Sequence, residues 1–160
     1  MQFESILSVI TANCAHVAPV VDENATPKIV IISLHDLKKV CQALYAHTDA
    51  YFDMLSCITA IDNGPQSATM EVIYSLYSIP YNHNVGLKVV VRRDEPAIDS
   101  VCDIWRTANW HEREAFDMFG IKFNGHPDLR RILMPADWVG CPLRKDYQQE
   151  GYYRDIKIEY

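Results

Sequence analysis

The sequence lacks paired cysteines, long apolar runs and an excess of basic charge. None of its five cysteines is spaced as C-x-x-C, which argues against a disulfide framework, a zinc ribbon and a cysteine-ligated iron–sulfur cluster. The most continuous apolar runs, KIVIIS and VVV, are too short to cross a bilayer, and the N-terminus does not resemble a signal peptide. A net charge of −6 gives no support to nucleic acid as a partner. We therefore expect a cytosolic chain, or one that reaches a membrane only through partners.

Motifs for nucleotide binding and for nucleophilic catalysis are also absent. The six glycines form neither G-x-G-x-x-G nor a Walker loop, and no serine lies in a nucleophile elbow. Cys141 and His126 are residue types that form a thiol nucleophile and its base, but no local signature accompanies them. A small enzyme that uses this pair is an alternative without motif support.

The acidic stretch WHEREAFDMF invites a metal-site interpretation. His111 and Glu114 have the i, i+3 spacing that could share a metal ion, yet the sequence contains no H-E-x-x-H pattern. The simpler interpretation is an exposed helix face that carries local ion pairs such as Arg113 with Asp117. On this interpretation the stretch holds no metal.

Hydrophobic periodicity predicts an α+β fold with a small, mostly antiparallel sheet of about four strands and about three helices. The segments TMEVIYSLYSI and VGLKVVVRR have apolar residues at alternate positions, which predicts two adjacent antiparallel strands. KIVIIS and MLSCITAI supply the other two strands. The residues predicted to face the core from the alternating pair are Met70, Val72, Tyr74, Leu76, Val85, Leu87, Val89 and Val91.

Helical spacing of apolar residues predicts one helix at the N-terminus and two more along the chain. The pattern Ser33-x-x-Asp36 predicts a capping box for the second helix, and Asn109-x-x-Glu112 predicts a cap for the third. Gly120 is predicted to end the third helix. The apolar stripe of the second helix is Leu37, Val40, Cys41 and Leu44.

The last forty residues show little periodicity, although the 160 residues have the length of one domain. We therefore divide the chain into an α+β core, residues 1–120, and an extended partner-docking segment, residues 121–160. From His126 to Tyr147 four Lys/Arg and three Asp give 4 − 3 = +1, which leaves −7 for the rest of the chain. Apolar residues such as Leu133 and Trp138 among these charges are typical of a docking surface. The alternative interpretation is a C-terminal segment that packs only on its own domain, and such a segment would have the same composition.

The stretch NWHEREAFDMFGIKFNGHPDLRRILMPADWVGCPLRKDY resembles the signature of the C subunit, or 30-kDa-type subunit, of the proton-pumping NADH–quinone oxidoreductase, respiratory complex I. The family pattern has an E-R-E helix that ends at G-I, then G-H-P-D-L-R-R-I-L, then P-L-R-K-D. The resemblance implies that the matching residues dock partners. These residues are Glu112, Arg113, Glu114, Asp117, Gly120, Gly125, His126, Pro127, Asp128, Leu129, Arg130, Arg131, Pro142, Leu143, Arg144, Lys145 and Asp146.

The resemblance also implies a non-catalytic scaffold subunit of the hydrophilic arm, which supports electron transfer from NADH to quinone coupled to proton translocation. Such a chain holds no cofactor, because FMN and the iron–sulfur clusters are in partner subunits. Its chief partners would be the subunit that forms the quinone chamber and the neighbouring subunit that bears a cluster, at the cytoplasmic face of the inner membrane. The equivalent subunit of a membrane-bound hydrogenase, or of a ferredoxin- or F420-dependent complex, is the alternative within this class.

Overall fold

The computed structural model of the chain describes residues 2–158 and has an α+β fold. Its helices are α1 (Phe3–Asn13), α2 (Leu37–Ala46) and α3 (Ala108–Phe119). Its strands are β1 (Val20–Asp22), β2 (Ile29–Ile31), β3 (Met54–Asp62), β4 (Thr69–Ser78), β5 (His83–Arg92), β6 (Ala97–Asp99), β7 (Lys122–Asn124), β8 (Tyr152–Tyr153) and β9 (Ile156–Lys157). The predicted fold class is confirmed. Within residues 2–158, no helix combines the length and the apolar character that a bilayer span requires.

The main sheet has five strands in the order β1-β2-β5-β4-β3. All neighbouring strands are antiparallel except β2 and β5, which are parallel. The extra strand relative to prediction is β1, whose three residues are too few to show a period. Two small sheets, β6-β7 and β8-β9, complete the described strands.

The β4–β5 hairpin is the centre of the core, and its predicted alternation is confirmed. All eight residues predicted to face inward are buried. Each large apolar side chain that leaves water here contributes roughly 1.5–3 kcal/mol to folding. The predicted stripe of α2 is also fully buried, and it packs into the same cluster.

The capping box predicted for α2 is wrong. The helix begins at Leu37, and the Asp36 carboxylate makes no capping hydrogen bond to it. That carboxylate instead accepts hydrogen bonds from the backbone N–H groups of Ala15 and His16, both at 3.1 Å. Asp36 therefore fastens the loop after α1 to the start of α2, a contact between residues too far apart in sequence for a local motif to reveal.

The cap predicted at Asn109 for α3 is wrong as well. The cap position is Thr107 and the helix begins at Ala108, two residues earlier than a cap at Asn109 predicts. The Thr107 hydroxyl makes no capping bond and donates to the carbonyl of Leu55 on β3. The C-terminus at Gly120 is confirmed, because this residue has a left-handed conformation with φ of 75°. A β-carbon there would lie 3.0 Å from an Arg144 nitrogen and from the Cys141 sulfur, so the position requires glycine.

Residues 122–124 still belong to regular structure, because β7 pairs in parallel with β6. From Gly125 to residue 151 the chain has no helix or strand. The division into a core of residues 1–120 and a docking segment of residues 121–160 stays a prediction.

Candidate partner-docking surface

The C-terminus of α3 is the centre of the candidate site, because the docking segment satisfies the carbonyl groups that a helix end leaves without partners. The N–H of Leu143 donates to the Met118 carbonyl at 3.1 Å. The Nε of Arg144 donates to the Phe119 carbonyl at 2.7 Å. The second motif of the segment, PLRKD, is therefore folded back against the helix.

The buried carboxylate of Asp117 holds the first motif of the segment, GHPDLRRIL. Its Oδ2 accepts hydrogen bonds from three consecutive backbone N–H groups, those of Ile132, Leu133 and Met134, at 3.0, 2.7 and 2.9 Å. Its Oδ1 accepts one from the Arg131 guanidinium at 2.9 Å. Desolvation alone would raise the pKa of Asp117, but these donors outweigh it and the pKa is lowered. We call this arrangement the Asp117 clasp.

Arginine side chains extend the Asp117 clasp in two directions. Arg131 also donates to the carbonyl of Gly140 at 3.0 Å, which ties the first motif to the chain just before PLRKD. Arg113 donates from Nε to the Arg130 carbonyl at 3.2 Å, and its guanidinium lies 5.0 Å from the centre of the Trp110 ring. These contacts give the segment a defined course over α3.

The exposed-face interpretation of the acidic helix is wrong. Glu112 and Asp117 are fully buried, and Arg113 is 8% exposed. Arg113 forms no ion pair with Asp117, because each residue bonds a different part of the docking segment. The period of α3 is helical, but the face that was expected to meet water is covered by the chain that follows it.

A second clasp holds the end of the PLRKD motif against the sheet. The buried Asp62 accepts two hydrogen bonds from Arg93, at 2.8 and 3.1 Å, and one from the backbone N–H of Lys145 at 2.8 Å. Arg93 also pairs with Asp146 of the segment. The hydrogen bonds from Arg93 are the largest of the causes that lower the pKa of Asp62. We call this arrangement the Asp62 clasp.

Sequence reasoning missed Asp62 and Arg93, although a signal was present. Val91 faces the core from β5, and Arg93 continues the same alternation two residues later. Asp62 continues the inward parity of Ile58 on β3. Two opposite charges at inward positions of strands from one sheet predict a buried ion pair.

Glu112 anchors the loop that precedes α3. Its carboxylate accepts hydrogen bonds from the Ser100 hydroxyl at 2.6 Å, the Val101 N–H at 2.8 Å and the Cys102 thiol at 3.2 Å. Desolvation outweighs these donors, so the pKa of Glu112 is raised. Burial also raises the pKa of Cys102 to about 12, which keeps its thiol protonated and able to donate.

Glu112→Gln is expected to gain stability relative to the wild type as pH rises. Because the folded pKa of Glu112 is raised, its contribution is fully present below the unfolded pKa and is lost as pH rises through the folded pKa. Glutamine does not ionise, so its stability lacks this pH dependence. Urea unfolding of both proteins between pH 4 and pH 8 measures the difference, and a constant difference would contradict the assignment. Glu114→Gln on the exposed face of α3 is the control.

One group of side chains has donor types that could bind a metal ion. Ligand atoms of Cys102, Glu112 and His126 lie within 4.8 Å of one another. However, the two ring nitrogens of His126 already bond the Asn109 carbonyl at 3.2 Å and the Asp128 N–H at 3.0 Å. A metal ion would have to break these bonds and the hydrogen bond between Cys102 and Glu112. The geometry is that of a hydrogen-bonded anchor.

The hydrogen bonds of His126 do not connect it to Cys141. Both ring nitrogens bond backbone groups, and the Cys141 sulfur lies beside Gly120 at the end of α3. Nothing in the described residues pairs the thiol with a base, so this geometry does not favour the thiol-nucleophile alternative.

The predicted docking residues fall into three groups by exposure. The exposed ones are Glu114, Gly125, Pro127, Asp128, Arg130, Leu143, Lys145 and Asp146. The half-buried ones are Gly120, His126, Leu129, Arg131, Pro142 and Arg144, and the buried ones are Glu112, Arg113 and Asp117. Large apolar side chains also project outward, since Leu133 is 60% and Trp110 64% exposed. Among the buried members, Arg113 and Asp117 hold the segment and Glu112 holds the loop before α3, whereas the exposed members are accessible at the surface.

Comparisons with known proteins identify the family. The family model described as respiratory-chain NADH dehydrogenase, 30 Kd subunit, matches residues 30–153. The C subunit of the NADH-quinone oxidoreductase of Chlorobium phaeobacteroides is 42% identical over 141 residues, which are 87% of this chain and 84% of that protein.

Two solved structures share the fold. The trypsin-resistant fragment of Nqo5 has a TM-score of 0.66 and 29% identity, over 81% of this chain and 100% of that chain. A chain of the membrane-bound sulfane sulfur reductase, an archaeal respiratory membrane complex, has a TM-score of 0.70 at 20% identity, over 92% of this chain and 86% of that chain. With the family match, these likenesses lead to one conclusion: the chain belongs to the family of the 30 kDa subunit of the respiratory-chain NADH dehydrogenase.

Proposed function

We propose that this chain is a non-catalytic scaffold subunit of the hydrophilic arm of an NADH–quinone oxidoreductase, and that the docking segment is its main contact with partners. One observation carries the proposal. The segment has almost no regular structure of its own, yet two clasps from the core fix it and leave apolar and basic side chains outward. A preformed surface of this composition favours specific protein binding, because little conformational entropy remains to be lost on docking.

The partners that we propose are the subunit that forms the quinone chamber and the neighbouring subunit that bears a cluster. In this proposal FMN and the iron–sulfur clusters are in partner subunits, and attachment to the cytoplasmic face of the inner membrane is indirect. Electron transfer from NADH to quinone, coupled to proton translocation, is then a property of the whole complex. The resemblance of the motifs and the names of the relatives support this assignment.

A pull-down of the tagged chain from its native membranes in mild detergent tests the proposal. The eluate is analysed by mass spectrometry and assayed for NADH-dependent quinone reduction. Flavin and iron–sulfur subunits with that activity are the expected result. Cluster-bearing subunits without NADH activity would indicate the related hydrogenase or ferredoxin- or F420-dependent complexes instead. Recovery of the chain alone, from membranes that hold the intact complex, would contradict the scaffold proposal.

Substitutions of two adjacent arginines in the docking segment are expected to affect partner binding and folding to different extents. Arg130→Ala removes an exposed guanidinium whose ion pair, with Asp128, is itself at the surface. We expect it to lower partner recovery several-fold, equivalent to about 1 kcal/mol, while the melting temperature stays unchanged. Arg131→Ala removes a ligand of the Asp117 clasp, so it should lower both recovery and melting temperature. Equal effects of the two variants on melting would contradict this division.

A further inference from the structure

The outer edge of β3 is one of the two edges of the main sheet, and β1 forms the other. A bulge between Leu55 and Cys57 and the inward charge of Asp62 mark the two ends of β3, whereas residues 57–61 between them continue the regular ladder with β4. Edge strands are normally blunted by lysine, proline or inward-pointing charge, since their unpaired backbone groups otherwise recruit another strand. Eight of the nine residues of β3, MLSCITAI at 54–61, include no charged residue and no proline, and the ninth is Asp62 of the Asp62 clasp. A strand edge of this composition is typical of one that pairs with another segment in an assembly.

The ladder with β4 determines which backbone groups face outward. The N–H of Asn63 donates to the Thr69 carbonyl at 3.2 Å, so that pair is hydrogen-bonded. Bonded and non-bonded pairs alternate in an antiparallel ladder, which places Thr59 among the bonded residues. Ile58 and Ala60 therefore direct their N–H and C=O groups away from β4. Among residues 2–158, no loop or side chain accepts a hydrogen bond from these two N–H groups.

A groove of about 350 Å³ runs along this edge. Four consecutive residues of β3, 57–60, line one side of it. Because successive side chains of a strand point to opposite faces, contact with all four means that the groove follows the backbone edge. The other side is formed by His111, Glu114, Ala115 and Phe119 of α3 and by Leu143 of the docking segment.

The lining indicates what fits in the groove. Its only acidic or basic side chain other than His111 is that of Glu114, which is exposed and has no ion-pair partner among residues 2–158. Phe119 and the 54% exposed Leu143 supply apolar surface beside it. A strand with a basic residue opposite Glu114 complements this lining. A second copy of the chain would instead bring another Glu114 groove and a further charge of −6.

We propose that an extended segment of a partner subunit pairs with the free edge of β3 as an added strand. It places a lysine or arginine opposite Glu114 and apolar side chains against Phe119 and Leu143, with backbone hydrogen bonds to Ile58 and Ala60. This inference rests on the proposed function, because it takes the partner from the same complex. It adds a second contact beside the docking segment.

Hydrogen–deuterium exchange at single-residue resolution tests the added strand directly. In the isolated chain, the amides of Ile58 and Ala60 should exchange fast, whereas those of Thr59 and Ile61 should be protected by the ladder. In the purified complex, the first two should slow by roughly a hundredfold. Fast exchange of both in the intact complex would overturn the proposal. Protection in the isolated chain that grows with its concentration would also overturn it, by indicating a second copy.

Ala60→Pro provides an independent test in the pull-down. Proline removes an outward N–H that the β4 ladder does not use, so the fold is retained while the edge is blocked. We expect about a tenfold lower recovery of partners. Ala60→Ser keeps the N–H and should recover partners normally. Full recovery by a folded Ala60→Pro protein would overturn the added strand alone, whereas failure of the wild type to recover partners would overturn the proposed function.

Discussion

Asp117→Asn is expected to lower the free energy of unfolding by about 3 kcal/mol and to loosen the docking segment. The carboxylate accepts four hydrogen bonds through two oxygens, three from consecutive backbone N–H groups and one from Arg131. Asparagine has the same shape but offers one oxygen, and its amide group would face donors. Either the backbone turn or the guanidinium then loses its partner.

Chemical unfolding and limited trypsin digestion together measure this effect. Trypsin cleaves after Arg130 and Arg131, so a loosened segment is cut earlier than in the wild type. Glu114→Gln is the matched control, since it removes a carboxylate from the exposed face of the same helix. An unchanged unfolding midpoint with an unchanged digestion pattern in Asp117→Asn would show that other groups hold the segment.

Asp62→Asn is the second substitution with a large expected effect. Removing one partner of a buried ion pair leaves the other charge without compensation, which costs about 3 kcal/mol or more. Here the uncompensated group is Arg93, whose side chain is 12% exposed and which retains only its pair with Asp146. The N–H groups of Gly64 and Lys145 also lose their charged acceptor.

The pH dependence of stability identifies the charge of Asp62 as the cause. Its folded pKa is lowered, so its stabilisation is fully present above the unfolded pKa of about 3.9 and is lost as pH falls through the folded value. Asp62→Asn should therefore differ most from the wild type at neutral pH and converge with it in acid. Asp94→Asn, which breaks the exposed pair with Arg92, should match the wild type throughout. A pH-independent deficit in Asp62→Asn would contradict the assignment.

Much of the fold could be predicted because its signals are local. The alternation in β4 and β5 and the stripe of α2 come from residues that contact one core, so period alone identifies them. The predictions of the caps for α2 and α3 are wrong for the same physical reason. Side chains of types that cap helices are used instead for distant contacts, Asp36 with the loop at Ala15 and Glu112 with the loop at Val101.

The candidate site shows the same limit more strongly. Its motifs could be located in the sequence, and their resemblance indicated the family. The motifs alone do not show which of their residues face inward. The docking segment that covers α3 follows the helix after a turn, so its position over the helix is not a local property of the sequence. A period assigned to α3 alone places Asp117 on a surface, whereas the Ile132–Met134 backbone makes that surface interior. The solvent exposure of a helix face therefore depends also on segments that follow the helix in the sequence and pack against it.

The Asp62 clasp joins residues that are far apart in the sequence, and this separation determines when the docking surface can form during synthesis of the chain. The hydrogen bond from Lys145 joins residues 83 positions apart, and Asp62 is oriented by Arg93, which follows the last long strand of the sheet. Contacts with such sequence separation require most of the chain to be in place. The docking surface therefore takes its shape only after synthesis has reached Lys145 and the sheet has closed. A copy truncated before Lys145 would lack this clasp, so on the proposed function we expect it to assemble with partners less well than the full chain.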